Sequence, residues 1–399
     1  MKNFVFISPN FPAAYWRFCA GLKENGLRVL GIGDCPYDQL TEELRNALDE
    51  YYKVSSLENY DEVFRAVAFL TFKHGKIDYL ESNNEYWLER DAALRTAFHI
   101  TTGFMEEDIQ RMKYKSKMKA YYEKAGIPTA RYHLVEGMEE SKAFAKKVGY
   151  PVVVKPDNGV GASHTYRLRS EEEMDYFYAT KDPSIQYVME EYVDGEVRTY
   201  DAIIDSKGEP IIEGGNVTLG SLMDVMNDQD DSVFYIVKDL PEKMKDLGRR
   251  TVKAFGVRSR YVHLEFFVLR KDQKGLGKAG DILGLEVNMR PPGGISPDMA
   301  NFAYGVDMYK IWADMIAFDK TDMPMDRPHH FCGFCGRRDA KNYVMDHNAI
   351  MERFGHKIVM AERVQAALSG CMGDQTYVGI YETEEEMFDA FRAMLETKQ

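Results

Sequence analysis

Leu283-Gly284-Leu285-Glu286-Val287-Asn288-Met289-Arg290, closed by Pro291-Pro292-Gly293-Gly294, is the stretch that decides the fold of this chain. Side chains alternate across an extended strand. Glu286, Asn288 and Arg290 are therefore expected on one face, with Leu285, Val287 and Met289 on the other. An acid, an amide and a guanidinium on one face suit a hard cation and an anion held together. Magnesium takes few carboxylates plus phosphate oxygens and water, and arginine grips phosphate or carboxylate in a fork. A second apolar run, Tyr261 to Val268, carries one carboxylate, Glu265. On a neighbouring strand it would bring a second acid beside Glu286. The bland alternative is a polar outer sheet face, but the flanking Phe266, Phe267 and Val287 favour burial.

Upstream, Tyr150-Pro151-Val152-Val153-Val154-Lys155-Pro156 reads as a buried strand ending in a lysine. It runs into Asp157-Asn158-Gly159-Val160-Gly161-Ala162-Ser163-His164, whose low bulk lets backbone N–H groups approach an anion. It is not a Walker loop, because the lysine precedes the glycines. Before it lies a basic helix, Arg111 to Lys119, ending at Ala125-Gly126-Ile127-Pro128, where glycine caps and proline prevents continuation. A solvated face is the default for so many lysines. After the loop, Gln186 to Glu191 reads as a strand ending in paired acids, followed by a turn at Asp194-Gly195.

The first hundred residues alternate short apolar runs (Phe4 to Ser8, Leu27 to Ile32, Tyr52 to Val54, Ile77 to Leu80) with helical stretches (Ala13 to Asn25, Glu58 to Lys73, Glu85 to Phe98). That alternation predicts a doubly wound parallel α/β domain over about 1–112. Gly31-Ile32-Gly33 lacks the third glycine of a dinucleotide fingerprint and reads as a strand-end turn.

The ordered set from Met112 to Asp314 resembles the ATP-grasp superfamily, in the branch of biotin carboxylase, carbamoyl-phosphate synthase halves and L-amino acid ligases. The resemblance implies an N-terminal doubly wound α/β domain (1–112), followed by an ATP-grasp fold, two α+β subdomains clasping ATP. These are a linker helix and lid with the glycine loop (113–189) and a C-terminal subdomain with the metal site (190–399). It implies ATP and magnesium (or manganese) as cofactors. Lys115 and Lys155 match the phosphate-contacting lysines, and Gly159, Gly161, Ala162 and Ser163 the loop over the nucleotide. Glu190, Glu191, Tyr192 and Val193 match the adenine-reading hinge, and Leu285 joins the nucleotide contacts. Glu265, Glu286 and Asn288 match the metal ligands. Arg290, with Lys155, matches the catalytic cations. One departure is Val197, where many members carry a ribose-binding glutamate; Glu196 precedes it.

The activity so implied is ADP-forming ligation of a small-molecule carboxylate and an amine, with amino acids among the candidates. The alternatives are a catalytically silent ATP-binding regulatory module and a carbamoyl-phosphate-synthase-like activity on bicarbonate. A homodimer is compatible with this branch.

Among 399 residues, 45% are hydrophobic and 29% charged, and the formal net charge is −13. That balance argues against nucleic acid or anionic membrane as a partner. Five cysteines in so long a chain, with no secretory pattern, predict reduced thiols in a cytoplasm. His330, Cys332 and Cys335 have zinc-like spacing, but a full site needs four ligands, and a reduced strand is favoured. Arg337 and Arg338 could face an anionic substrate or solvent, and solvent is favoured. The acidic run Asp224 to Asp231 suits a lid or a surface loop.

Overall fold

The computed structural model describes residues 1–159, 164–220, 230–364 and 366–398, with side chains at 366–368 left aside. Gly161, Ala162 and Ser163, and all of the acidic run up to residue 229, lie outside the described residues.

Three sheets organise the chain. The first is parallel and four-stranded, in the order Glu50–Lys53, Arg28–Gly33, Asn3–Ile7, Tyr79–Glu81. Each strand bound falls within one or two residues of the apolar run that predicts it. The helices Trp16–Glu24, Tyr60–His74 and Leu88–Ala97 follow the predicted amphipathic stretches. Asn59 caps the second of these by accepting from Glu62 N. Gly33 permits close packing in this sheet, since a Cβ there would stand 2.6 Å from Tyr51 Oη.

The two faces of this sheet are buried differently. Val5 and Ile7 point into a core with Val63, Val67 and Leu70 of helix Tyr60–His74. Phe4 and Phe6 point the other way, where Phe18 of helix Trp16–Glu24 meets Trp312 of a distant helix, Met308–Phe318. Ring centroids of Trp312 lie 5.7 Å from Phe4 and 4.9 Å from Phe18, both edge-to-face. The N-terminal sheet thus shares its core with helices from the C-terminal part of the chain.

The second sheet is antiparallel, in the order Tyr132–Leu134, Tyr187–Glu191, Val152–Pro156, Tyr166–Leu168. It is backed by helices Met138–Val148 and Glu171–Thr180 through Ala145, Met174 and Phe177. The third sheet is nine-stranded; its path runs Ile282–Asn288, Arg260–Leu269, Gly195–Ile204, Asn216–Leu219, Ser232–Ile236, Phe331–Arg337, Gln375–Tyr381, Ile358–Arg363. Pro210–Gly214 pairs off this path with Gly195–Ile204.

In the expected linker helix, Lys115–Lys124, Met118 and Tyr122 are buried with Tyr200, Phe255 and Phe266 under the third sheet. Gly284 makes the fit: a Cβ there would stand 2.5 Å from the Tyr122 ring.

Cys332 and Cys335 lie on the strand favoured for them, Phe331–Arg337, on opposite faces and in two separate cores. Arg337 and Arg338, against the favoured reading, are not in solvent. Both are buried; the Arg337 guanidinium stacks 3.8 Å from the Tyr343 centroid, and Arg338 donates to the carbonyls of Asp230 (3.1 Å) and Ser369 (2.6 Å). No helix among the described residues is long and apolar enough to cross a membrane.

Trp312→Ala is expected to cost about 3–5 kcal/mol through the cavity it leaves between sheet and helix. A fall in the urea midpoint at unchanged m-value would report it.

Candidate functional site

The strands Arg260–Leu269 and Ile282–Asn288 pair antiparallel, with Glu265 opposite Glu286 and His263 opposite Asn288. Between Glu265 and Phe266 the register slips, so Phe266 pairs with Gly284 and Leu285 is left over. This bulge breaks strict alternation. Gly284 and Val287 keep to the core face, while Leu285 and Glu286 both fall on the cleft face with Glu265 and Asn288. The expected placement of Leu285 with Val287 and Met289 is thereby corrected; the shared face of Glu286, Asn288 and Arg290 is as expected. Arg290 lies just beyond the strand, its Nη2 donating to Asn288 Oδ1 at 3.2 Å and its Nη1 to the Pro291 carbonyl at 2.8 Å.

Behind Glu265 runs a short charged chain. His263 lies 2.6 Å by Nδ1 from Asp201 Oδ1 and 3.1 Å by Nε2 from Glu265 Oε1. Thr199 Oγ1 in turn donates to Asp201 Oδ2 at 2.8 Å. Burial disfavours the charged imidazole, but the two carboxylates outweigh it and raise His263 to about 9. Both ring nitrogens are occupied, so His263 orients Glu265 and is not itself a ligand.

The lysines approach from two directions. Lys115 Nζ, from the helix under the third sheet, lies 3.1 Å from Glu286 Oε1 and donates to the Gly159 carbonyl at 3.0 Å. Lys155, at the end of the lid strand Val152–Pro156, pairs with Glu190 Oε2 at 2.7 Å. Lys119 pairs with the other oxygen of the same carboxylate. Glu190 is fully buried, which by itself opposes ionisation; Lys119 and Lys155 outweigh that and hold it down to about 2. The adjacent Glu191 faces the opposite side of the strand, where Arg131 takes it through Nε at 2.9 Å and through its backbone N–H at 2.8 Å. Past it, Gln273 secures the connection between the sheets. Its Nε2 donates to the Tyr192 carbonyl at 3.2 Å, and its Oε1 accepts from Asp194 N at 2.8 Å. Val193 packs with Ala130 and Leu283 beside it.

Lid and body are also joined at Asp157. Its carboxylate accepts from Ser116 N and Ser116 Oγ, each at 2.7 Å, and its carbonyl accepts from Lys115 N at 2.9 Å. An acid at a helix N-terminus also complements the helix dipole. Val197 lies on the cleft face, paired with Phe267, whereas Glu196 lies on the other face bonded to Arg198.

The donor set fits magnesium. Glu265, Glu286 and Asn288 are hard oxygen donors on one surface, and no cluster of three or more His, Cys, Asp or Glu suited to a metal exists among the described residues. An ion here would complete its shell with phosphate oxygens and water. Lys115 pairs with Glu286, and Lys119 and Lys155 with Glu190. Sequence reasoning passed over Lys119, Asp201 and His263. Lys119 had one signal, its i+4 spacing from Lys115, which stacks the two on one helix face.

Glu190→Gln is expected to destabilise the fold by about 3–5 kcal/mol, because it leaves buried ammonium groups unpaired. The Glu190 contribution is full above its unfolded value near 4.5 and is lost as pH falls towards 2. Acid unfolding of the variant should therefore be shallower over that window. His263 has the opposite sign: the stability gained by protonating it is full below 6.5 and lost as pH rises through about 9. An imidazole NMR titration of the metal-free protein should find that midpoint.

Residues 111–211 match the family described as carbamoyl-phosphate synthase L chain, ATP binding domain. The L-arginine-specific L-amino acid ligase of Bacillus subtilis is 25% identical over 268 residues, which is 62% of this chain and 60% of that ligase's own length. The crystal structure of an L-amino acid ligase from Bacillus licheniformis superposes with a TM-score of 0.71 at 15% identity, covering 100% of this chain and 99% of that one. The biotin carboxylase domain of Hydrogenobacter thermophilus 2-oxoglutarate carboxylase, solved with MgADP and bicarbonate, gives 0.70 at 20% identity, covering 100% and 90%. The three-sheet architecture is thus that of the ATP-grasp fold, and residues 111–211 within it match an ATP-binding domain.

Proposed function

We propose that this chain is an ADP-forming ligase that uses magnesium and ATP to join a small carboxylate to an amine. The observation that carries the proposal is the pairing of Glu265 with Glu286 across two strands, with Lys115 and Arg290 on the same surface. A binding module has no physical need for that combination. The relatives support the same chemistry, although the aligned part spans 60% of the ligase and 18% of a carbamoyl phosphate synthase large chain.

The chemistry follows from charge. A carboxylate is a poor electrophile and becomes a good one on taking the γ-phosphoryl group of ATP. A carboxylate oxygen bonds to γ-phosphorus as the bond to the β,γ-bridging oxygen breaks, releasing ADP. The amine lone pair then attacks the acyl carbon, phosphate departs, and the nitrogen sheds a proton. Bound magnesium supplies neutralisation of phosphate charge. Glu265, Glu286 and Asn288 would hold it, with His263 fixing the Glu265 carboxylate. Lys115 and Lys155 bind phosphate oxygens, exchanging their bonds to Glu286 and Glu190 for bonds to the nucleotide. Arg290 faces the reacting carboxylate and the charge that develops on it. The Glu191–Val193 connection with Leu285 receives the adenine. Exclusion of water protects the acyl phosphate from hydrolysis.

With Mg-ATP and amino acids supplied singly and in pairs, the protein is expected to release ADP and phosphate in equal amounts. Glu286→Gln is expected to lower the rate about 100-fold or more. AMP and pyrophosphate as products would refute the proposal. Nucleotide binding without turnover would favour a silent binder, and stimulation by bicarbonate alone a carbamoyl-phosphate chemistry.

A further inference from the structure

Glu85 has no part in the nucleotide site, yet it faces that site. It opens the short turn Glu85–Trp87, beyond the C-terminal end of strand Tyr79–Glu81. This is the edge at which open α/β sheets receive ligands. Its backbone is fixed: Lys113 Nζ donates to the Glu85 carbonyl at 3.2 Å, and the Asn84 side chain accepts from Tyr86 N at 3.0 Å.

The side chain is 8% exposed, and its Oε2 has no hydrogen-bond partner. The nearest cation, Arg290 Nε, stands 4.0 Å away, an ion pair too long for a hydrogen bond. Arg290 cannot readily swing across, because Nη1 and Nη2 are engaged by the Pro291 carbonyl and Asn288. A buried carboxylate oxygen without a donor is costly. Burial indeed pushes the Glu85 carboxyl up, against the pull of Arg290, Lys113 and Lys115. Arg290, which also bonds to Asn288 on the cleft face, is the residue that ties Glu85 to the cleft.

A guanidinium and a donor-starved carboxylate therefore stand side by side, next to the metal acids. Their spacing matches a zwitterion whose opposite charges are separated by one carbon. The carboxylate of an α-amino acid would lie on Arg290, and its ammonium would fill the gap at Glu85 Oε2. A plain carboxylic acid would leave that oxygen unpaired. We propose that Glu85 receives the α-ammonium group of the acyl donor, so that the carboxylate activated here is that of an α-amino acid. This rests on the ligase reading above and adds the residue that selects the donor.

The test uses the full-length protein with Mg-ATP and hydroxylamine, which traps an acyl phosphate as a hydroxamate whatever the natural amine. Hydroxamate and ADP are measured for each protein amino acid and for the carboxylic acid of the same skeleton lacking the amino group. The wild type is expected to prefer the amino acid by about 100-fold or more, because the desamino acid leaves a buried charge unpaired. Glu85→Gln should erase most of that preference while binding Mg-ADP as before, and Glu85→Asp should keep part of it. Equal use of both classes by the wild type overturns the proposal. So does a Glu85→Gln variant that loses activity equally on both, which is what a purely structural role predicts. If Glu85→Gln does not bind Mg-ADP, the wild-type preference and Glu85→Asp decide. Absence of hydroxamate with either class in the wild type overturns the ligase reading itself, an outcome distinct from loss of selectivity.

Discussion

An ammonium group taken out of water must find an anion, and the cleft is arranged around that necessity. Lys115, Lys119 and Lys155 are all buried, and each rests against a carboxylate: Glu286 for the first, Glu190 for the other two. The Glu190 contact spans two bodies, since Lys119 comes from the helix under the large sheet and Lys155 from the lid. A charged cradle can thus be folded before any nucleotide arrives. The pairing is provisional where phosphates would compete for the lysines, and permanent where, as at Arg131 and Glu191, the bonds lie on the far side of the strand.

The second organising element is the one-residue slip beside Glu265. Without it, strict alternation would put an apolar side chain and a metal acid on opposite faces. With it, Leu285 and Glu286 share the cleft face, one apolar and one ionic. In the proposed reading, a flat base and a phosphate-bound cation would use those two surfaces side by side. The bulge supplies both from consecutive residues.

Much of this was legible in the sequence, for identifiable reasons. The parallel strands near the N-terminus announced themselves as short apolar runs bounded by turns, and Glu286, Asn288 and Arg290 shared a face because the period of a strand is two. The exceptions have equally definite causes. A bulge is a relation between two strands, so Leu285 could not be placed from its own strand alone. Cys332 and Cys335 read as a strand, but that they enter different cores depends on what packs on each face. Arg337 and Arg338 seemed solvent-facing because their acceptors are backbone carbonyls of remote loops. His263 and Asp201 meet through cross-strand pairing, and Glu85 lies on a loop that meets Lys113 and Arg290. None of these relations has a local signature.

The shared core around Trp312 bears on how the chain is made. On the ribosome the first sheet is complete once residue 81 has emerged, and Val5 and Ile7 can find helix Tyr60–His74 at once. Phe4, Phe6 and Phe18 must wait until residue 312 has been synthesised. Through that interval an aromatic surface stays open, available to a chaperone or to another nascent chain. The first sheet can therefore form long before the core on its aromatic face is finished.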